Sequence, residues 1–200
     1  TNSEDFPITT GSFDPSYNGA FDAFLVRLDL QSGLLTYGSF LGGDGEDRAT
    51  GLDVLNNGQL LVTGYVEATN GSPFPSFPTT SGAIGETLQG NTDAFVTKFN
   101  TQGSALAYST LLGGSGSEQS QGISASAEGG FAVTGQTTSA DFPITAQGFQ
   151  TSYIGVGDAP DAYITQFNES GSHLIYSSYL GGDQEDKSSS VFLSTVDHVY

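Results

Sequence analysis

The chain has 200 residues, 28 of them Gly, with 22 Asp and Glu against 4 Lys and Arg, a formal net charge of −18, and no Cys, Met or Trp. This composition excludes a disulfide scaffold, a zinc–cysteine site, a thiol nucleophile and a nucleic-acid binder that works through a basic surface. Hydrophobic residues make up only 36%, but 14 Phe and 9 Tyr supply enough large side chains for a core, so the chain does not read as disordered.

The sequence begins at Thr1 without an initiator Met or a charged-then-apolar leader, and no apolar run approaches the ~18 residues of a membrane span. The expectation is an excerpt of a longer or processed chain, with no membrane span in this segment. Lack of Cys suits both a reducing cytosol and exported bacterial proteins that use no disulfides. The carboxylate excess favours solubility, repels phosphate backbones and offers oxygen ligands to hard cations such as calcium.

In chain order the first element is Asp5-Phe6-Pro7-Ile8-Thr9, an aromatic residue followed by a fixed φ. It reads as a connector anchored on a sheet edge and shielding it, with an exposed docking site as the alternative. Asp22 then precedes a strand over 22–30, where Phe24, Val26 and Leu28 line one side and Ala23 and Leu25 the other. After the turn Gln31-Ser32-Gly33, a second strand over 34–41 sets Leu35, Tyr37, Ser39 and Leu41 in one column and Phe40 in the other, so both faces are expected to be covered. Gly42-Gly43-Asp44-Gly45 reads as the next turn, and strands over 49–55 and 59–66 flank Asn56-Asn57-Gly58. No segment has a helical period.

The same series then recurs. YGSFLGG at Tyr37–Gly43 returns as YSTLLGG at Tyr108–Gly114 and YSSYLGG at Tyr176–Gly182; Asp22 returns as Asp93 and Asp161; the Phe-Pro element returns at Phe77-Pro78 and Phe142-Pro143. Val62-Thr63-Gly64 matches Val133-Thr134-Gly135, and the third copy reaches Val199-Tyr200 where that strand should begin. Gly43, Gly114 and Gly182 each follow their aspartate by 21 residues, and Gly64 and Gly135 by 42, whereas the connector between copies varies in length. Constant spacing points to strands whose register cannot slip. The repeats run over 1–66, 67–137 and 138–200, the last truncated. A four-stranded antiparallel unit of ~40–45 residues, apolar on both faces and repeated in tandem, predicts an all-β chain of β-propeller-type blades. Propellers close with ~4–8 blades, so the three visible here would need blades from elsewhere in the same chain or a neighbouring one. An open solenoid of stacked sheets is the competing architecture.

At these residues the sequence resembles the SBBP repeat family, the bacterial "seven-bladed beta-propeller" repeat. DAFVTK at Asp93–Lys98, YSTLLGGSG at Tyr108–Gly116 and VTGQT at Val133–Thr137 carry the resemblance, which extends over nearly the whole chain. It implies a propeller module of a secreted or cell-surface bacterial or archaeal protein, and no reaction. The long connector from Asn70 to Asn91, with three prolines, departs from the pattern and could carry a specialised contact.

Asp22, Asp93 and Asp161, with Gly42, Gly43, Gly113, Gly114, Gly181 and Gly182, form the repeat signature. The aspartates are read as acceptors of backbone N–H groups at turns, because a catalytic acid would be unique to one copy. The loops after Leu-Gly-Gly hold Asp44, Glu46 and Asp47 in the first copy and Asp183, Glu185 and Asp186 in the third, but only Glu118 in the second. Three carboxylates so close either splay into solvent or are gathered by Ca2+, so these six residues are candidate calcium ligands. The alternative is a solvated turn whose last acid caps the next strand. The few cations lie near carboxylates in sequence, which suggests local pairing. There is no phosphate-binding loop and no nucleophile elbow. His173 and His198 are the only histidines. The leading expectation is a non-enzymatic extracellular module with a structural, adhesive or filament-forming role, binding a protein or glycan surface. The alternative is a carbohydrate-active hydrolase or glycan-binding propeller with a central pocket, using His173 and Glu185.

Overall fold

A computed structural model describes residues 1–69, 76–194 and 198–200. Among them are ten antiparallel strands and no helix, hence none long and apolar enough to cross a membrane. Strands β1 (Ala23–Asp29) and β2 (Leu34–Leu41) form a two-stranded sheet. The strands β3 (Glu46–Val54), β4 (Leu60–Glu67), β5 (Thr92–Phe99) and β6 (Leu106–Leu112) form a four-stranded sheet in that order. The strands β7 (Glu118–Ala125), β8 (Phe131–Thr137), β9 (Asp161–Phe167) and β10 (Leu174–Leu180) form another. The all-β class with repeated four-stranded antiparallel sheets is as expected. The described residues do not form a closed ring.

The sheets are offset from the sequence repeat by two strands. The repeat boundary after residue 66 falls between β4 and β5, yet these strands pair residue for residue from Leu60↔Phe99 to Glu67↔Thr92, and β8 pairs with β9 in the same way. The Gly-Gly segments are therefore not hairpin turns: the first two carry the chain from the end of one sheet to the start of the next, and the third leads out of β10. The spacing across them is constant because the crossing is packed on a buried aspartate, not because the flanking strands are bonded to each other. The connector within a sheet can vary in length without disturbing the β4–β5 register.

Two cores result. Ala23, Leu25, Tyr37 and Leu41 of the first sheet pack against Val62, Val66, Phe95 and Phe99 of the second. On the other face of the second sheet, Leu61, Ala94 and Val96 meet Ile123, Phe131, Val133, Tyr163 and Phe167 of the third, where the rings of Phe131 and Phe167 stack at 4.9 Å. β5 is thus buried at every position, which explains why its sequence is apolar on both faces. Each Phe-Pro ring docks on the aromatic two residues after the repeat aspartate: Phe6 on Phe24, Phe77 on Phe95 and Phe142 on Tyr163, at 4.4, 4.6 and 4.5 Å. The repeated tyrosine reaches the hairpin turn of the following sheet, Tyr37 donating to the Gly103 carbonyl at 2.6 Å, while Tyr108 lies against Gly171. In the truncated third copy, residues 188–194 lie along β7 and β8: the Ser188 hydroxyl donates to the Gly135 carbonyl, and the Leu193 N–H to Ser124 Oγ.

The glycine of Val-Thr-Gly is required by space. A Cβ on Gly64 would stand 1.9 Å from the Arg48 carbonyl oxygen, and one on Gly135 would stand 2.1 Å from that of Gln119. Gly33 differs, because it has φ +70° with nothing within 4 Å of a Cβ. Gly64→Ala and Gly135→Ala are expected to cost about 3 kcal/mol or more in urea unfolding, and Gly33→Ala only about 1 kcal/mol. Equal costs at the three positions would contradict this account.

Candidate functional site

The most elaborate polar constellation sits where one sheet hands the chain to the next, and it is built three times. Asp22, Asp93 and Asp161 are fully buried. Asp22 accepts the N–H groups of Asn18 and Gly19 at 3.0 and 3.2 Å, and Asp93 accepts those of Gln89 and Gly90 at 2.9 and 3.2 Å. Asp161 accepts the Ile154 N–H and the Gln150 amide, both at 3.1 Å. A second carboxylate faces each from the far side of the Gly-Gly crossing. Asp47, Glu118 and Asp186 accept the N–H of Gly43, Gly114 and Gly182 at 2.8, 2.8 and 2.6 Å. The first glycine of each pair has no room for a side chain. A Cβ on Gly42 would lie 2.7 Å from Asp47 Oδ2 and 2.9 Å from Asp22 Cγ, and Gly113 and Gly181 are hemmed in by Asp93 and Asp161 in the same way. Glu118, one methylene longer, also accepts the hydroxyls of Thr137 and Ser139 at 2.5 and 2.6 Å.

Burial raises the acids of the first two crossings. Loss of solvation, reinforced by Asp22 and the neighbouring acids, lifts Asp47 to about 7 against the hydrogen bond from Gly43. Asp93 rises to about 6 for the same first reason, and Glu118 and Asp22 also move up. Asp47 Oδ1 and Asp161 Oδ1 are buried without a hydrogen-bond partner. Each carboxylate is committed to holding a crossing, and its equivalents do the same in the other copies.

The acidic loops do not gather as calcium ligands. Asp44 accepts the N–H and hydroxyl of Ser76 at 2.6 and 3.1 Å, Glu46 pairs with Arg48, and Asp47 turns inward to Gly43. In the third copy Glu185 pairs with Lys187, Asp186 turns to Gly182, and Asp183 is exposed. The three acids of the first loop point to three different partners, Glu185 and Asp186 of the third diverge in the same way, and among the described residues no group of three or more His, Cys, Asp or Glu is arranged to hold a metal ion. Local pairing accounts for Arg48 and Lys187, whereas Lys98 donates to the Glu169 backbone carbonyl and Arg27 to the Thr36 hydroxyl.

Nor does the fold assemble the hydrolase candidates. His173 lies in the turn before β10, with Nδ1 3.4 Å from Ser172 Oγ, and Glu185 follows the other end of the same strand. A seven-residue strand spans about 20 Å. His198 is an exposed residue whose N–H donates to Ser194 Oγ. Glu185 does line a polar cleft of about 430 Å³ with Gln119, Gln136, Thr138 and Lys187. The long connector's Asn70 to Pro75 lie outside the described residues.

One feature that the sequence reading missed joins adjacent sheets. Asp44, just after Gly-Gly, accepts from Ser76, just before Phe-Pro; in the next copy the partners are exchanged, with Asp141 before Phe-Pro accepting the N–H and hydroxyl of Ser115 after Gly-Gly at 2.8 and 3.0 Å. Comparing the two positions across copies for an acid–serine exchange would have exposed it.

No protein-family model matches the chain, and no relative is found among curated proteins.

Two measurements check this description. Ser76→Asp sets two acids together and is expected to destabilise by about 1 kcal/mol; adding Asp44→Ser, which reproduces the Ser115–Asp141 arrangement, should restore most of the loss in a double-mutant cycle. For Asp47, a folded pKa above the ordinary 3.8 means stability that is full at low pH and lost as pH rises through about 7. Tm should therefore fall between about pH 4 and 7 and level off above that, and Asp47→Asn should remove about 1–3 kcal/mol of that fall. An unchanged pH slope in Asp47→Asn would count against the buried acid as its source.

Proposed function

We propose that this chain is a non-enzymatic β-propeller-type repeat module of the SBBP class, from a secreted or cell-surface bacterial or archaeal protein, with a structural, adhesive or filament-forming role. The observation that carries the reading is that the paired carboxylates recur at equivalent positions in all three copies and are bonded into the Gly-Gly crossings and the loops beside them. A catalytic centre needs at least one constellation that departs from the repeat, with a nucleophile or acid–base pair within hydrogen-bond reach of a reacting atom. His173, which does depart from it, and Glu185, which repeats Glu46, lie at opposite ends of β10. Apolar faces on both sides of the middle sheet support blades flanked by blades, and the acidic exterior suits a module exposed to solvent.

The polar cleft beside Glu185 favours a second reading, a glycan-binding surface. Its amides and charged groups could hydrogen-bond sugar hydroxyls, although no aromatic platform lines it.

The expected outcome in a panel of chromogenic glycosides and esters is no turnover above background. Glycan-array binding that disappears in Gln136→Ala and Glu185→Ala, with Tm unchanged, would shift the assignment to the second reading. Turnover lost in His173→Ala or Glu185→Ala would overturn the non-enzymatic one.

A further inference from the structure

We propose that the free edge of β1 and the apolar groove beside it accept one further repeat segment, outside residues 1–200. Its Val-Thr-Gly-type strand pairs antiparallel along β1, and its Gly-Gly crossing carries a serine that donates to Asp5. The inference rests on the repeat-module reading above, though not on its non-enzymatic part.

Strands β1, β5 and β9 are equivalent, but only two are completed. β5 and β9 are bonded on one side by β4 and β8, whereas β1 is bonded only to β2, leaving a row of N–H and C=O groups along its other edge. Such an edge is a template for an added strand. The residues beside it are uncovered as well, on the face that in β5 and β9 packs against both the adjoining Val-Thr-Gly strand and the preceding sheet. Phe95, Thr97 and Phe99 in β5 and Tyr163, Thr165 and Phe167 in β9 are all 0% exposed, while Phe24, Val26 and Leu28 at the same places in β1 are 44%, 37% and 56% exposed. Leu52 in β3 is 56% exposed, and its counterpart Ile123 in β7 is 8%. A groove of about 300 Å³ runs between β1 and β3, lined by Phe24, Leu25, Val26, Ala49, Leu52 and Val62.

Two further contacts identify the occupant. Thr1 and Asp22 exchange backbone hydrogen bonds of 2.7 and 2.9 Å, just where Thr137, the residue that ends the Val-Thr-Gly strand β8, lies opposite Asp161. Thr1 therefore already stands in line with the strand that β1 lacks. Asp5 occupies the position of Ser76 and Asp141, the connector half of the acid–serine contact, and its carboxylate has no partner among the described residues. The complement of an acid at this position is a serine after Gly-Gly, as at Ser115. A second copy of this chain does not fit, because its remaining residue at that place is Asp183, which would meet Asp5 as a like charge. The segment with the required features has the pattern of residues 113–136, which holds Ser115 and Val133-Thr134-Gly135.

The probe is a labelled synthetic peptide with the sequence of residues 113–136, added to the whole chain. Saturable binding by fluorescence anisotropy is expected, with slowed hydrogen exchange at those amides of Ala23–Asp29 that face away from β2. Ser115→Asp in the peptide should weaken binding about tenfold, and Asp5→Ser in the chain should restore it, since a charge-assisted hydrogen bond replaces a like-charge contact. Absence of saturable binding, unprotected β1 amides, or a Ser115→Asp peptide that binds both chains alike would each overturn the proposal. Turnover in the substrate panel would instead remove the non-enzymatic reading and leave this one standing.

Discussion

The structure depends on a carboxylate buried at each point where the chain leaves one sheet for the next. Burying an unpaired carboxylate costs several kcal/mol, so such a group survives only if backbone donors surround it or if it keeps its proton. Asp22, Asp93 and Asp161 draw donors from the loop before their strand, and Asp47, Glu118 and Asp186 take an N–H from the glycine crossing itself. The crossing must therefore pass close to both acids. That is why its first residue is glycine in every copy and why no residue is inserted between the aspartate and the crossing.

This junction has a consequence for how the sheets stack. Because the crossing, the acid–serine contact before Phe-Pro and the repeated tyrosine each tie one sheet to its neighbour, the contacts between sheets are as regular as those within them. Tyr37 reaches Gly103 and Tyr108 reaches Gly171; Lys98 reaches the Glu169 carbonyl in the same turn that Tyr108 covers. Stability in such an array comes from nearest-neighbour interfaces, so each sheet is completed by the one beside it. The exposed column of β1 and the buried columns of β5 and β9 are the same surface with and without that neighbour.

The polar chemistry follows from the same economy. Acids that look like a ligand cluster in sequence are distributed among a serine, an arginine and a backbone amide in space. The raised pKa values of Asp47 and Asp93 reflect burial at a junction, which structural groups share with catalytic ones. Repetition separates the two cases: an acid that recurs at every crossing serves the crossing.

The all-β class, the strand positions, the two-sided burial of the middle strands and the importance of the repeat aspartates were legible in the sequence. Each leaves a local trace: alternation of apolar residues, glycine at turns, and spacing that does not vary. Which strands share a sheet was not legible, because Gly42-Gly43-Asp44-Gly45 has the composition of a hairpin turn and only packing on Asp22 and Asp47 makes it a crossing. The fate of Asp44, Glu46 and Asp47 was equally a tertiary matter, since side chains adjacent in sequence point to different sheets. The exchange of Asp44–Ser76 for Ser115–Asp141 lay in the sequence all along, but its partners are joined only once neighbouring sheets are stacked. Periodicity is a property of one strand and can be read along the chain; partnership between strands is a property of the packed whole.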